Sequence, residues 1–246
     1  HLRDGDALMP IYARDGSREP GDLAEIATAA LGRLAASNSI LPEVEDAALW
    51  CADPPDLKPA VIGGLLRIGG KMILGGGSKT RKSWTLIQLA LAIANGLEFL
   101  GMPCRRSRLL YINMELPAEE MAHRINGVST AMGCGRDGLH VWNLRGHAAG
   151  LEKLAVPIIE KAKARGVEVV VLDPIYKVIG DRPENSNEGV ADLLNICDTI
   201  AERTGAAFIF AHHFAKGAQG GKFAVDRVSG AGAWWRDPDA GVFMTE

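Results

Sequence analysis

Apolar residues are distributed along this chain in two regimes. Residues 1–21 are polar and rich in Asp, Arg, Gly and Pro, which predicts an extended arm. Residues 22–36 set Leu23, Ile26, Leu31 and Leu34 at helical spacing, which predicts a helix with a partly apolar face. Residues 37–60 carry Pro42, Pro54, Pro55 and Pro59 and read as loop. From about residue 61 the pattern changes. Short continuous apolar runs at 72–74, 108–113, 140–144, 167–172 and 206–211 predict strands. Longer amphipathic runs at 82–94, 117–132, 151–165 and 187–204 predict helices between them. A last run, 240–245, predicts a final strand. Unbroken apolar strands alternating with helices imply a mostly parallel sheet covered on both faces. The last strands near the carboxyl end stay open to an antiparallel arrangement. Ligands of such sheets bind beyond the carboxyl ends of the strands.

Composition narrows the function classes. The chain has 246 residues, 47% of them hydrophobic, enough for a full α/β core. Its net charge of −3 gives no global field toward nucleic acid, so any DNA contact has to come from a local patch. Cys51, Cys104, Cys134 and Cys197 are scattered without a C-x-x-C pair, which argues against zinc and a disulfide framework and for a reducing cytoplasm. No membrane-length apolar run or signal peptide is visible. The sequence starts at His1 and stops inside its last strand, so it is expected to be a piece of a longer chain, truncated at the carboxyl end.

The chemistry concentrates at 71–84, where an apolar strand enters a glycine-rich turn and leaves as a helix. The segment Gly76, Gly77, Ser78, Lys79, Thr80, Arg81, Lys82, Ser83, Trp84 approximates G-x-x-x-x-G-K-[ST], in which backbone N–H groups cradle phosphates. Lys82 would reach the terminal phosphates and Ser83 would hold magnesium, which names a nucleoside triphosphate as ligand. Arg81 stands where the second glycine belongs; it has to point outward or add its guanidinium to the site.

Other strand tips carry candidates. Asp173 closes the apolar run 169–172 and is placed to hold magnesium with Ser83. Glu115 follows the strand at 108–113 and could polarise an attacking water. His212 and His213 end another strand, where neighbours point to opposite sides. One of them can face a nucleotide and the other the core; two packed histidines are the alternative. The segment 216–232 is glycine-rich and carries Lys216, Lys222 and Arg227, a candidate contact for a nucleic-acid backbone or a neighbouring subunit. Trp234, Trp235 and Arg236 follow, and Arg236 is a candidate arginine finger.

These stretches resemble the RecA-like branch of P-loop ATPases, specifically the RepA-type ATPases of plasmids, phages and other mobile elements. The resemblance rests on 76–83, 111–115, 171–177, 212–216 and 229–240. It implies a RecA-like core over 61–246, preceded by an arm and helix at 1–60 that could serve as an inter-subunit linker. It implies ATP and Mg2+ as ligands, with Lys82 on the β/γ-phosphates, Ser83 and Asp173 serving the metal, and Glu115 as the catalytic carboxylate. His213 would sense the γ-phosphate and Arg236 would act in trans. It also implies a homo-oligomer, typically a hexameric ring, that moves on single-stranded DNA as a replicative helicase. A nucleotide-dependent regulatory or partitioning ATPase without unwinding is the alternative.

Overall fold

The computed structural model describes residues 43–77, 80–147, 149–180, 182, 186–213 and 232–244. The helix expected at 22–36, Ser78, Lys79, and the loop cations Lys216, Lys222 and Arg227 lie outside the described residues. The chain divides into two units, residues 1–56 and 57–246.

In the first unit one short helix, α1 (Ala47–Ala52), stands where the prolines predicted only loop. The Asp46 carboxylate starts it by accepting from the N–H groups of Ala48 and Leu49.

The second unit opens with a small antiparallel ribbon, β1 (Ala60–Ile62) and β2 (Leu66–Arg67). Then come β3 (Lys71–Gly76), α2 (Lys82–Asn95), a second ribbon of β4 (Glu98–Phe99) and β5 (Met102–Pro103), and β6 (Leu109–Asn113). The chain continues through α3 (Ala118–Met132), β7 (Leu139–Asn143), α4 (Leu151–Arg165), β8 (Val169–Asp173) and a 3-10 turn at Ile175–Val178. It ends with α5 (Asn187–Thr204), β9 (Ala207–His213), α6 (Ala233–Arg236) and β10 (Ala240–Met244). Six strands form one sheet in the order β10-β3-β9-β8-β6-β7, and every pairing is parallel.

The antiparallel option for the final strands is therefore corrected. β10 runs parallel to β3, with Ala240 opposite Met72 and Met244 opposite Gly76. Its foot explains the direction. Asp239 accepts from the Lys71 N–H at 2.7 Å, and Asp237 pairs with the Lys71 amine, so the two strands start together.

Alternation along each strand divides the core. Met72, Leu74, Leu109, Tyr111, Val169, Val171, Ile209 and Ala211 meet α2 and α3 on one face. Ile73, Leu110, Ile112, Val170, Leu172, Phe208 and Phe210 meet α4, α5 and Trp234 on the other. The same alternation decides which strand-tip side chains face the phosphate loop. Among the described residues, no helix is long and apolar enough to cross a membrane.

Candidate nucleotide site

Four neighbouring strands, β3, β9, β8 and β6, end side by side, and their carboxyl ends surround one cleft of about 440 Å³. Arg81, Lys82, Ser83, Trp84, Glu115, Leu116, Arg124, Asp173 and His213 line it. The structure thus brings Lys82, Ser83, Glu115, Asp173 and His213 together from four separate segments.

Lys82 is buried, and its amine donates to the Gly76 carbonyl at 3.0 Å and the Gly77 carbonyl at 2.5 Å. Thr80 Oγ1 donates to the Gly77 carbonyl at 2.9 Å. Gly76 has to be glycine on space alone: a Cβ there would come within 2.8 Å of Thr80 Oγ1 and 3.3 Å of Lys82 Cγ. Arg81 sits at φ 66°, ψ 27°, the left-handed region that glycine reaches without cost. The backbone therefore keeps the shape that the glycine of the motif would give it, and the Arg81 side chain remains at the cleft wall.

Burial lowers the Lys82 ammonium below its ordinary pKa, opposed by the charges of Asp173 and Glu115. Asp173 is almost fully buried, and burial pushes its carboxyl above the usual range. Hydrogen bonds from the Tyr111 hydroxyl, at 2.7 Å, and from Ser83 oppose that push. Burial, then the charge of Lys82, lowers the pKa of His213, with Glu115 opposing.

The histidine pair separates as strand geometry requires. His212 points to the α5 face, where its ring stacks 4.3 Å from Trp234. His213 points into the cleft, with its ring centroid 5.4 Å from that of Tyr176. Glu115 is exposed just past β6. Asn113 shapes the turn that carries it: its carbonyl oxygen accepts from the Glu115 and Leu116 N–H groups at 3.3 and 3.0 Å, and its amide donates to the Leu116 carbonyl at 2.9 Å.

Arg236 is not part of this cleft. It is exposed on α6 with its guanidinium 5.4 Å from the Trp235 ring. Conversely, Arg124 and Tyr111 reach the site without having been singled out from sequence. Arg124 lines the cleft from α3, pairs with Glu120, and lies 5.0 Å over the Trp84 ring. A charge on an amphipathic helix reads as solvent-facing, and a tyrosine inside a buried strand reads as core. Neither residue carries a sequence signal of its own.

Residues 36–219 match an AAA domain family. Among solved structures, a KaiC-like protein from the hyperthermophilic archaeon Pyrococcus horikoshii is similar, at 18% identity and a TM-score of 0.43. That alignment covers 62% of this chain and 65% of the archaeal one, so the chain spans under two thirds of that neighbour's length. The family match takes in the phosphate loop and the strands that lead to Glu115, Asp173 and His213, and stops before Arg236. With most of its length so matched, the chain belongs to this AAA domain family.

Proposed function

We propose that the chain hydrolyses ATP with Mg2+ and couples turnover to single-stranded DNA, as a RepA-type replicative ATPase does. The observation that carries the chemical part is the convergence of Lys82, Ser83, Glu115, Asp173 and His213 on one cleft. The donor set fits magnesium, since Ser83 and Asp173 offer oxygen alone. Asp173 also has an unbalanced charge: among the described residues no cationic nitrogen forms a salt bridge with it. A bound cation would supply that balance and neutralise charge developing on the phosphoryl group.

In this reading the chain's own groups divide the work. Lys82 leaves its loop carbonyls for phosphate oxygens, and the loop N–H groups hold the same anion. Glu115 orients water and takes its proton as the oxygen attacks the γ-phosphorus in line. His213, at the tip of β9, donates toward the same phosphate and reports its loss. Assembly into a ring, with Arg236 serving a neighbour, and contact of Lys216, Lys222 and Arg227 with DNA complete the proposal.

The net charge of −3 favours a second reading, a regulatory or partitioning ATPase that binds DNA without unwinding it. Turnover measured with and without single-stranded DNA, beside a strand-displacement assay, separates the two. Stimulation with displacement supports the helicase. Stimulation without displacement supports the regulator, and turnover indifferent to DNA overturns both.

A further inference from the structure

Trp84 is a large aromatic side chain left 40% exposed at the rim of the cleft, one residue beyond the Lys82–Ser83 pair. Its indole is held in place, because the Arg124 guanidinium lies 5.0 Å from its centroid. Arg124 is itself fixed by its ion pair with Glu120 one turn earlier on α3. Trp84 walls a second shallow pocket of about 460 Å³ together with Arg81, and among the described residues these two alone line it. Arg81 and Trp84 line both this pocket and the cleft that holds Lys82 and Ser83, so the two spaces adjoin.

We propose, resting on the nucleotide reading above, that Trp84 and Arg81 form a stacking platform for the nucleobase. An indole and a guanidinium both offer a flat surface to a π-face, and every base has one. The substrate class that follows is nucleoside triphosphates held by stacking area, with purine nucleotides bound more tightly than pyrimidine nucleotides. Arg81 then has a use on the outer side of a loop whose backbone keeps the glycine conformation.

The test compares ligands with and without a base. Affinities for ATP, GTP, CTP and inorganic tripolyphosphate are measured by calorimetry on the wild type, Trp84→Ala, Trp84→Phe and Lys82→Ala. Trp84→Ala is expected to lose roughly 10- to 100-fold in ATP affinity, the range of one base–aromatic stack. It should keep tripolyphosphate binding within about threefold on the same ground, because the phosphate contacts are untouched. Trp84→Phe should recover most of the ATP affinity, and Lys82→Ala should lose ATP and tripolyphosphate together. Equal losses of ATP and tripolyphosphate in Trp84→Ala, or no loss of ATP, overturn the platform. A wild type that binds neither ATP nor tripolyphosphate overturns the nucleotide reading itself, which is a different outcome from an ATP affinity that does not respond to Trp84.

Discussion

A single arginine, Arg81, shows that the phosphate loop is specified by backbone shape more than by its consensus letters. It holds φ 66°, where an L side chain costs about 1–2 kcal/mol relative to the right-handed region. Arg81→Gly relieves that cost but frees the unfolded chain by about 0.5–1 kcal/mol. Stability is therefore expected to stay level or rise slightly, while Arg81→Val, branched at Cβ, should lower the melting temperature by several degrees. Glu115 yields a second prediction. Glu115→Gln should bind ATP normally and hydrolyse it about 100-fold more slowly, the usual cost of losing a general base. Weakened binding with unchanged turnover of bound ATP would make Glu115 a binding residue instead. Asp173 yields a third. Folding raises its pKa, so its contribution to stability is fully present below the ordinary carboxylate range and is lost as pH rises through the folded value. Asp173→Asn removes that loss. Thermal denaturation should show the variant gaining on the wild type at pH 7.5 relative to pH 4.5, with Mg2+-dependent turnover abolished. A difference that does not change with pH would mean that folding leaves the Asp173 pKa where it is in the unfolded chain.

At the scale of elements, the foot of β3 matters as much as its tip. Lys71 is buried, and its amine meets Asp198 of α5 at 2.7 Å and Asp237 beyond α6. Burial alone would lower its pKa, but these two carboxylates outweigh that and raise it. One side chain thus ties the strand that carries the phosphate loop to α5 and to the segment that positions β10. Lys71→Met is expected to cost about 1–3 kcal/mol, less than a fully buried pair because Asp198 is half exposed, with β10 amides exchanging faster than those of β8. Equal exchange in both strands would assign the loss to general destabilisation. This clamp was not legible in the sequence, since it joins residues 127 and 166 positions apart. The strands and helices from β3 onward were legible because strands buried on both faces leave unbroken apolar runs, and helices 151–165 and 187–204 fall at the residues that periodicity marks. The ribbons β1–β2 and β4–β5 were not, because strands of two or three residues hold no period. Helix α1 was hidden among prolines and depends on the cap at Asp46. The cleft was legible where chemistry sits at strand tips, as at Asp173 and His213. Arg124 was not, because only the packing of α3 against α2 turns its charge toward Trp84.

At the scale of the whole molecule, the cleft contains a lysine, two carboxylates and a histidine, but Arg236 stands apart from it. Arg236 is exposed, rests on the Trp235 ring, and ends a helix whose other tryptophan, Trp234, is buried against His212. The buried tryptophan anchors α6 to the sheet, and Asp237 anchors the next residue to Lys71. Arg236 is therefore held on a fixed element and presented outward, which suits a group that serves another copy of the chain. If it does, activity depends on assembly. Arg236→Ala and Lys82→Ala should each be nearly inactive alone, the first because an arginine in trans raises turnover by about 10³-fold or more in related NTPases. Mixed assemblies would set an intact Lys82 cleft against an intact Arg236, so turnover should recover partly on mixing and vary with the ratio of the two proteins. Arg236→Lys separates charge from shape: it keeps the cation but loses the planar fork, and recovery should be poor if bidentate phosphate contact is what the residue provides. A mixture that stays inactive while both proteins co-assemble, or a wild type fully active as a dilute monomer, would remove Arg236 from the mechanism and leave it a surface partner of Trp235.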